Sequence, residues 1–305
     1  MILLTGANGT VGKELLPQLL ARGMPVRCLV REPRRLGPLR VEVSIAIGDL
    51  GDRYIFSNTL RGVDTVIHLA SPTRDQRRGS IEELNGLATR RLVVAAQKHG
   101  VERMFFISPI AASLHSPTRF MRSAALAESA VVGAELESTI FKASMIYAAD
   151  DRYLGTFSKW SKVLPLMPLF GGRDTQFEPL WARDAARAIA AVVAEDAAAV
   201  EALAQFDGPI ELVGPEVLTN TQILHIATRI LGRRRPLVSI SPGIAAAAFD
   251  WAQKQFGPVV PATRDELALL ALTQRSRRGV HDIEALGVAP LPMGKALREA
   301  REQQA

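Results

Sequence analysis

The chain has 305 residues, enough for one large or two modest domains, and its 48% hydrophobic and 22% charged composition is that of an ordinary globular protein. No apolar run reaches the roughly 18 residues of a membrane-spanning helix, and the single cysteine, Cys28, excludes an intrachain disulfide and fits a reducing, cytoplasmic setting. The net charge is +6, yet aromatics are only 6% and no DNA- or RNA-binding motif is present, so no nucleic-acid partner is expected.

The first residues enter a strand at Ile2–Leu4 without the basic start and cleavage site of a secretion signal. Further strands are expected at Val26–Val30, Val41–Ile47, Thr65–Leu69, Arg103–Ile107 and Ser138–Phe141, with helices at Val11–Ala21, Ile81–His99 and Arg119–Val132. Short apolar strands alternating with amphipathic helices imply an α/β fold, a doubly wound parallel sheet of the Rossmann kind. After Pro- and Gly-rich breaks at Leu164–Pro168 and Gly171-Gly172, Asp184 is expected to cap a helix reaching Glu195, and Pro209–Val213 reads as one more strand. The remainder is expected to be helical, at Asn220–Leu231, Gly243–Gln255, Thr263–Thr273 and Gly294–Glu302. The expected division is a nucleotide-binding domain over 1–147 and 177–213, and a smaller, mostly helical C-terminal lobe over 148–176 and 214–305.

Arginines cluster at Arg31/Arg34/Arg35, Arg74/Arg77/Arg78, Arg233/Arg234/Arg235 and Arg275/Arg277/Arg278. The last three groups read as solvated loops. The first lies at the end of the second strand. Metal chemistry is not expected, because no Cys/His cluster has ligand spacing.

The most specific motif is Thr5-Gly6-Ala7-Asn8-Gly9-Thr10-Val11-Gly12, which follows a strand and opens a helix. Glycines there let the backbone turn sharply and bring helix N-terminal amides against a pyrophosphate. This Thr-Gly-x-x-Gly-x-x-Gly spacing resembles the short-chain dehydrogenase/reductase superfamily. The likeness continues through Gly48-Asp49-Leu50, Val66-Ile-His-Leu69-Ala70-Ser71, Phe105-Phe-Ile-Ser108 and Thr139-Ile-Phe-Lys-Ala143-Ser144-Met145-Ile-Tyr147. It covers nearly the whole chain, in the manner of the extended and atypical branches, NmrA-like proteins and the NADPH-binding accessory subunit of respiratory complex I. The resemblance implies a dinucleotide held along these segments, with Asp49 at the adenine. His68 reads as strand packing. Arg31 stands where an acid would accept the ribose hydroxyls of NAD, with Arg35 in the same segment as a further cofactor-binding residue, so NADP(H) is expected over NAD(H).

In that superfamily a tyrosine gives or takes the proton, and a lysine four residues on favours the phenolate. The register of Arg119-Phe-Met-Arg-Ser-Ala-Ala-Leu-Ala-Glu128 puts Phe120 at the tyrosine position and Ala124 at the lysine position. A phenyl ring and a methyl group offer neither proton nor charge. Ser108 alone is a poor acid, and His115, Lys142 and Tyr147 are weaker substitutes.

Three readings follow. One is an NADP(H)-binding structural or redox-sensing protein. Another is a reductase of a quinone-like or other apolar substrate, with Phe157–Trp160 and Leu164–Phe170 lining its pocket. The third is a nucleotide-sugar epimerase or dehydratase. A protein partner is compatible with the first, and Trp160 with Lys159 and Lys162 suggests peripheral membrane contact.

Overall fold

The computed structural model describes residues 1–52, 54–256 and 262–303. In chain order the first half forms β1 (Ile2–Thr5), α1 (Thr10–Ala21), β2 (Val26–Val30), β3 (Ser44–Ile47), α2 (Ile55–Thr59), β4 (Thr65–His68), α3 (Ala88–Lys98), β5 (Arg103–Pro109), α4 (Arg119–Val132), β6 (Glu137–Ala143) and β7 (Ile146–Tyr147). Then follow α5 (Arg152–Val163), β8 (Met167–Leu169), β9 (Gln176–Phe177), β10 (Leu180–Trp181), α6 (Ala182–Val193), α7 (Ala197–Leu203), β11 (Ile210–Leu212) and β12 (Leu218–Thr219). The last elements are α8 (Asn220–Leu231), β13 (Leu237–Ser239), α9 (Pro242–Phe256), α10 (Arg264–Leu269), α11 (His281–Ala285) and α12 (Met293–Glu302).

Seven strands pair in parallel in the order β11-β6-β5-β4-β1-β2-β3. The α/β Rossmann fold read from the alternation is the one observed. Fully buried strands such as Leu3 and Leu4, and Val66 and Ile67, explain why the pattern showed as short apolar runs rather than strict alternation. On one face Leu15, Leu16 and Leu19 of α1 meet Ala185, Ala186 and Ile189 of α6. On the other, Leu92, Val93 and Ala96 of α3 meet Ala127 and Val131 of α4. Each such leucine contributes about 1.5–3 kcal/mol by leaving water.

The second group of elements has cores of its own. Tyr147, Leu154, Trp181, Ile223 and Leu297 form one. Phe157, Met167, Phe170, Leu224, Phe249 and Leu270 form the other. Ile283, Leu286 and Val288, far along the chain, return to the core of the large sheet.

Several expected boundaries move, for local reasons. The third strand starts at Ser44 rather than Val41, because Pro33–Val41 winds as a 3₁₀ stretch kinked at Gly37. The long helix expected over Ile81–His99 is divided. Glu83–Leu87 is a π-turn in which Asn85 donates to the Pro72 carbonyl at 3.0 Å, and α3 begins after it. Asp184 is not a cap. It lies in the first turn of α6, fully buried, and accepts the Leu291 N–H at 2.9 Å. The helix expected over Thr263–Thr273 stops at Leu269, because Gln274 N–H is drawn to the Gln176 carbonyl at 2.9 Å.

His68 is buried at the end of β4, with Thr5 Oγ1 at 2.6 Å from Nδ1, Thr89 Oγ1 at 2.9 Å from Nε2, and its ring stacked on Phe106. Burial pushes its pKa down to about 4. The unfolded chain therefore binds a proton below about pH 6.5 that the folded chain refuses, and stability is lost as pH falls through that value. Between pH 7 and pH 5 the His68 contribution falls by about 2 kcal/mol. Denaturant midpoints of wild type and His68→Gln, measured at both pH values, should differ in their pH loss by that order, the wild type losing more.

Candidate functional site

Strand order reverses between β1 and β4, so the chain leaves these two neighbouring strands in opposite directions. A crevice opens beyond their carboxyl ends, where ligands of doubly wound sheets bind. Here it is a cleft of about 740 Å³ that runs from the end of β2 across to α5 and α10.

Its floor is the glycine turn. Gly6 has φ +76°, and a Cβ there would stand 2.7 Å from Ala70 N, so only glycine lets the loop after β4 come so close. A Cβ on Gly12 would meet the Gly6 carbonyl oxygen at 2.2 Å. Gly9 is the N-cap of α1 and supplies no side-chain bond, while Thr10, Val11 and Gly12 line the cleft. The helix thus presents uncapped amides and the positive end of its dipole. Asn8 also lines the cleft, and its buried Oδ1 has no hydrogen-bond partner.

Around Arg31 the cleft is bounded by Arg35, Asp49 and Leu50. The Arg31 guanidinium is half exposed, 3.8 Å from Asp49 and 3.4 Å from the side-chain Oε1 of Gln76. Asp49 also accepts the Gly51 N–H at 2.9 Å, so its carboxylate braces the turn as well as facing the cleft. Leu69, Ala70 and Ser71 form the next stretch of wall. Ser108 closes β5 with its Oγ buried and unpartnered. A buried polar atom left unpaired costs about 1–3 kcal/mol, and a polar ligand relieves that cost. Asn8, Ser108, the bare helix start and the guanidiniums together fit a long, anionic, polar ligand such as a dinucleotide.

Ala143, Ser144 and Met145 wall the other end. The Ser144 hydroxyl also donates to the Gln274 carbonyl at 2.8 Å and accepts the Glu178 N–H at 3.1 Å, so it holds backbone together as well as lining the cleft. Phe120 lies in the first turn of α4 and lines the cleft, packed with Ile81 and Met121 and covered by Leu269 and Leu272. Ala124 is buried one turn behind it and does not reach the cleft. His115 is exposed and outside the cleft, which removes it as a substitute acid. Lys142 pairs with Glu128 at 2.6 Å. Tyr147 touches the cleft, but its hydroxyl is buried and unpartnered. Burial, then the carboxylates of Asp184, Glu216 and Asp151, hold that phenol far above the usual tyrosine range.

Beyond Phe120 lies a chamber that sequence reasoning reached only in part. Tyr153, Phe157 and Trp160 recur along α5 in edge-to-face contacts with centroids 5.0 and 5.5 Å apart, and Phe157 and Trp160 each meet Phe170 edge-to-face at 6.3 Å. Their i, i+4, i+7 spacing was the available signal for α5. Asp151 caps this helix, accepting Leu154 N–H at 2.7 Å and Ala148 N–H at 2.9 Å, and burial raises its pKa to about 6. The opposite wall is α10, which the sequence did not connect to the site. Glu266 takes Arg74 Nε at 2.9 Å and Thr73 Oγ1 at 3.0 Å. Arg119 grips Asp265 at 3.2 Å together with Asp75 at 3.1 Å and Glu82 at 2.7 Å. That contact, with its hydrogen bond, holds the Glu82 carboxyl down to about 2. Among the described residues no cluster of side chains could hold a metal ion.

Residues 6–149 match the NAD(P)H-binding family model. The mitochondrial NADH dehydrogenase (ubiquinone) 1 alpha subcomplex subunit 9 of Arabidopsis thaliana is 31% identical over 229 residues, 72% of this chain and 55% of that protein. The chain thus spans about half the length of this plant relative. The Mus musculus protein of the same name is 25% identical over 300 residues, 94% of this chain and 76% of that one. An NADPH-dependent quinone oxidoreductase from Escherichia coli, in complex with NADPH, superposes with a TM-score of 0.69 at 16% identity, covering 98% of this chain and 99% of that one. At that identity the likeness is one of fold.

The glycine turn has a direct test. Gly12→Ala should weaken NADPH binding at least about tenfold in calorimetry, because its methyl displaces the Gly6 carbonyl and re-aims the α1 amides. Gly243→Ala, where a Cβ would meet nothing within 4 Å, should leave binding unchanged.

Proposed function

We propose that this chain, which matches the NAD(P)H-binding family model over residues 6–149 and resembles the atypical short-chain dehydrogenases/reductases, holds NADP(H) as a structural or redox-sensing protein and does not turn it over by the tyrosine-dependent route. The observation that carries this reading is Phe120. It occupies the cleft wall where the family places its acid, and its ring is packed into Ile81, Met121 and Leu269 rather than left beside a base. Ala124, buried behind Phe120, supplies no ammonium. The preference for NADP(H) rests on Arg31 and Arg35 at the adenosine end, which suit a 2′-phosphate better than bare hydroxyls.

A ligand that binds only the folded state raises the thermal midpoint with the logarithm of its concentration over Kd. NADPH should therefore shift the midpoint more than NADH does. Arg31→Ala with Arg35→Ala should reduce NADPH affinity by about tenfold or more and change NADH affinity far less. Equal shifts with the two cofactors would remove the NADP(H) preference, and no shift with either would remove the cofactor role.

The aromatic chamber supports a second reading, reduction of a flat apolar acceptor. Bound NADPH supplies a hydride, and a quinone-like acceptor takes its proton from water, so no phenol is needed. In that case Phe157, Trp160 and Phe170 bind the acceptor through their faces and edges. Steady NADPH consumption with a panel of quinones, abolished or strongly reduced in Trp160→Ala, would establish it. Silence across the panel favours the first reading.

A further inference from the structure

The connection from α8 to β13 is the most basic stretch of the second group of elements. The sequence alone reads Arg233-Arg234-Arg235 as a solvated loop, but the fold gathers two of these arginines with one from α8. A second cavity, of about 460 Å³, is lined by His225, Ile226, Arg229, Arg234, Arg235 and Pro236. It shares no residue with the dinucleotide cleft.

Counter-charge is missing there. From Val217 to Phe249 the chain contains no acidic residue, and no carboxylate lines the cavity. Other arginines do find carboxylates, as Arg22 with Asp196, Arg103 with Glu195, Arg183 with Glu14 and Arg278 with Asp282. Among the described residues Arg229, Arg234 and Arg235 form no ion pair with a carboxylate.

The frame that carries these cations is fixed. Gly232 lies so close to α5 that a Cβ would stand 2.1 Å from Ser161 Oγ. That hydroxyl, itself fully buried, accepts the Arg233 N–H at 3.0 Å, and the Ser161 carbonyl accepts Arg235 Nε at 3.0 Å. Pro236 then offers its carbonyl to Met167 N–H at 2.9 Å, which locks the loop to β8. Arg229, Arg234 and Arg235 thus line one cavity, with Arg235 fixed by the Ser161 carbonyl, and their mutual repulsion is relieved when an anion sits among them. Their planar forks match phosphate oxygens in pairs.

We propose that this cavity binds the phosphate group of an anionic ligand. A soluble phosphate ester and a phospholipid headgroup share that chemistry. Val163, Leu166 and Val238, which are 81%, 51% and 41% exposed, lie on the neighbouring α5–β8–β13 surface and would meet acyl chains in the second case.

The test uses the full chain with NADPH present in excess, so that the dinucleotide cleft is filled. Calorimetry with inorganic pyrophosphate and flotation with phosphatidylcholine vesicles, with and without phosphatidic acid, probe the two sources. Pyrophosphate binding supports the site and a soluble ligand. Flotation that requires phosphatidic acid, without pyrophosphate binding, supports the site and a lipid headgroup. In either case Arg229→Gln with Arg234→Gln should reduce binding about tenfold or more at an unchanged thermal midpoint. Arg275→Gln with Arg277→Gln, which removes the same charge elsewhere, should leave it intact. Binding of neither probe, or an equal loss in both double variants, overturns the proposal.

Discussion

Two backbones meet at the head of the sheet with no room for a side chain between them. Gly6 comes within a missing Cβ of Ala70, and Gly12 within a missing Cβ of Gly6's own carbonyl. Because those approaches are permitted, α1 starts directly beneath the crevice left by the reversal of strand order, and its first amides face the space. The placement of α1 also fixes α6, whose alanines and Ile189 lie on Leu15, Leu16 and Leu19. Cleft and core are thus set by one steric condition.

How much of this could be read from the residues depends on the range of the determining contact. β1, the glycine turn and α4 were legible because their signals are local: an apolar run, a glycine triplet, and amphipathic helical periodicity over Arg119–Val132. Every expected cofactor-lining residue from Gly6 to Met145 borders the same cleft, since those segments all end at the same edge of one parallel sheet. What stayed hidden was set by distant partners. Ser144 looks available until Gln274 and Glu178 are brought to it from 130 and 34 residues away. α10 carries no ligand motif, and its ion pairs with Arg74 and Arg119 and the packing of Leu269 on Phe120 place it at the site.

The second group of elements therefore does more than add mass. Leu269 and Leu272 press on Phe120 and Met121, so the position that a catalytic phenol would occupy is treated as core. A hydroxyl packed among Ile81, Met121, Leu269 and Leu272 would need a buried partner that these side chains do not supply. The apolar character of residue 120 and the packing of α10 support each other, so one would not be expected to change without the other.

Glu266 has two duties. Its carboxylate receives the Thr263 N–H at 3.0 Å, closing the capping box that begins α10, and it is also the anchor for Arg74. A helix of six residues has little intrinsic tendency to persist without tertiary support. Detaching that carboxylate would thus fray the element while freeing it, and the flank of the crevice would melt in one cooperative event instead of swinging aside as a rigid door.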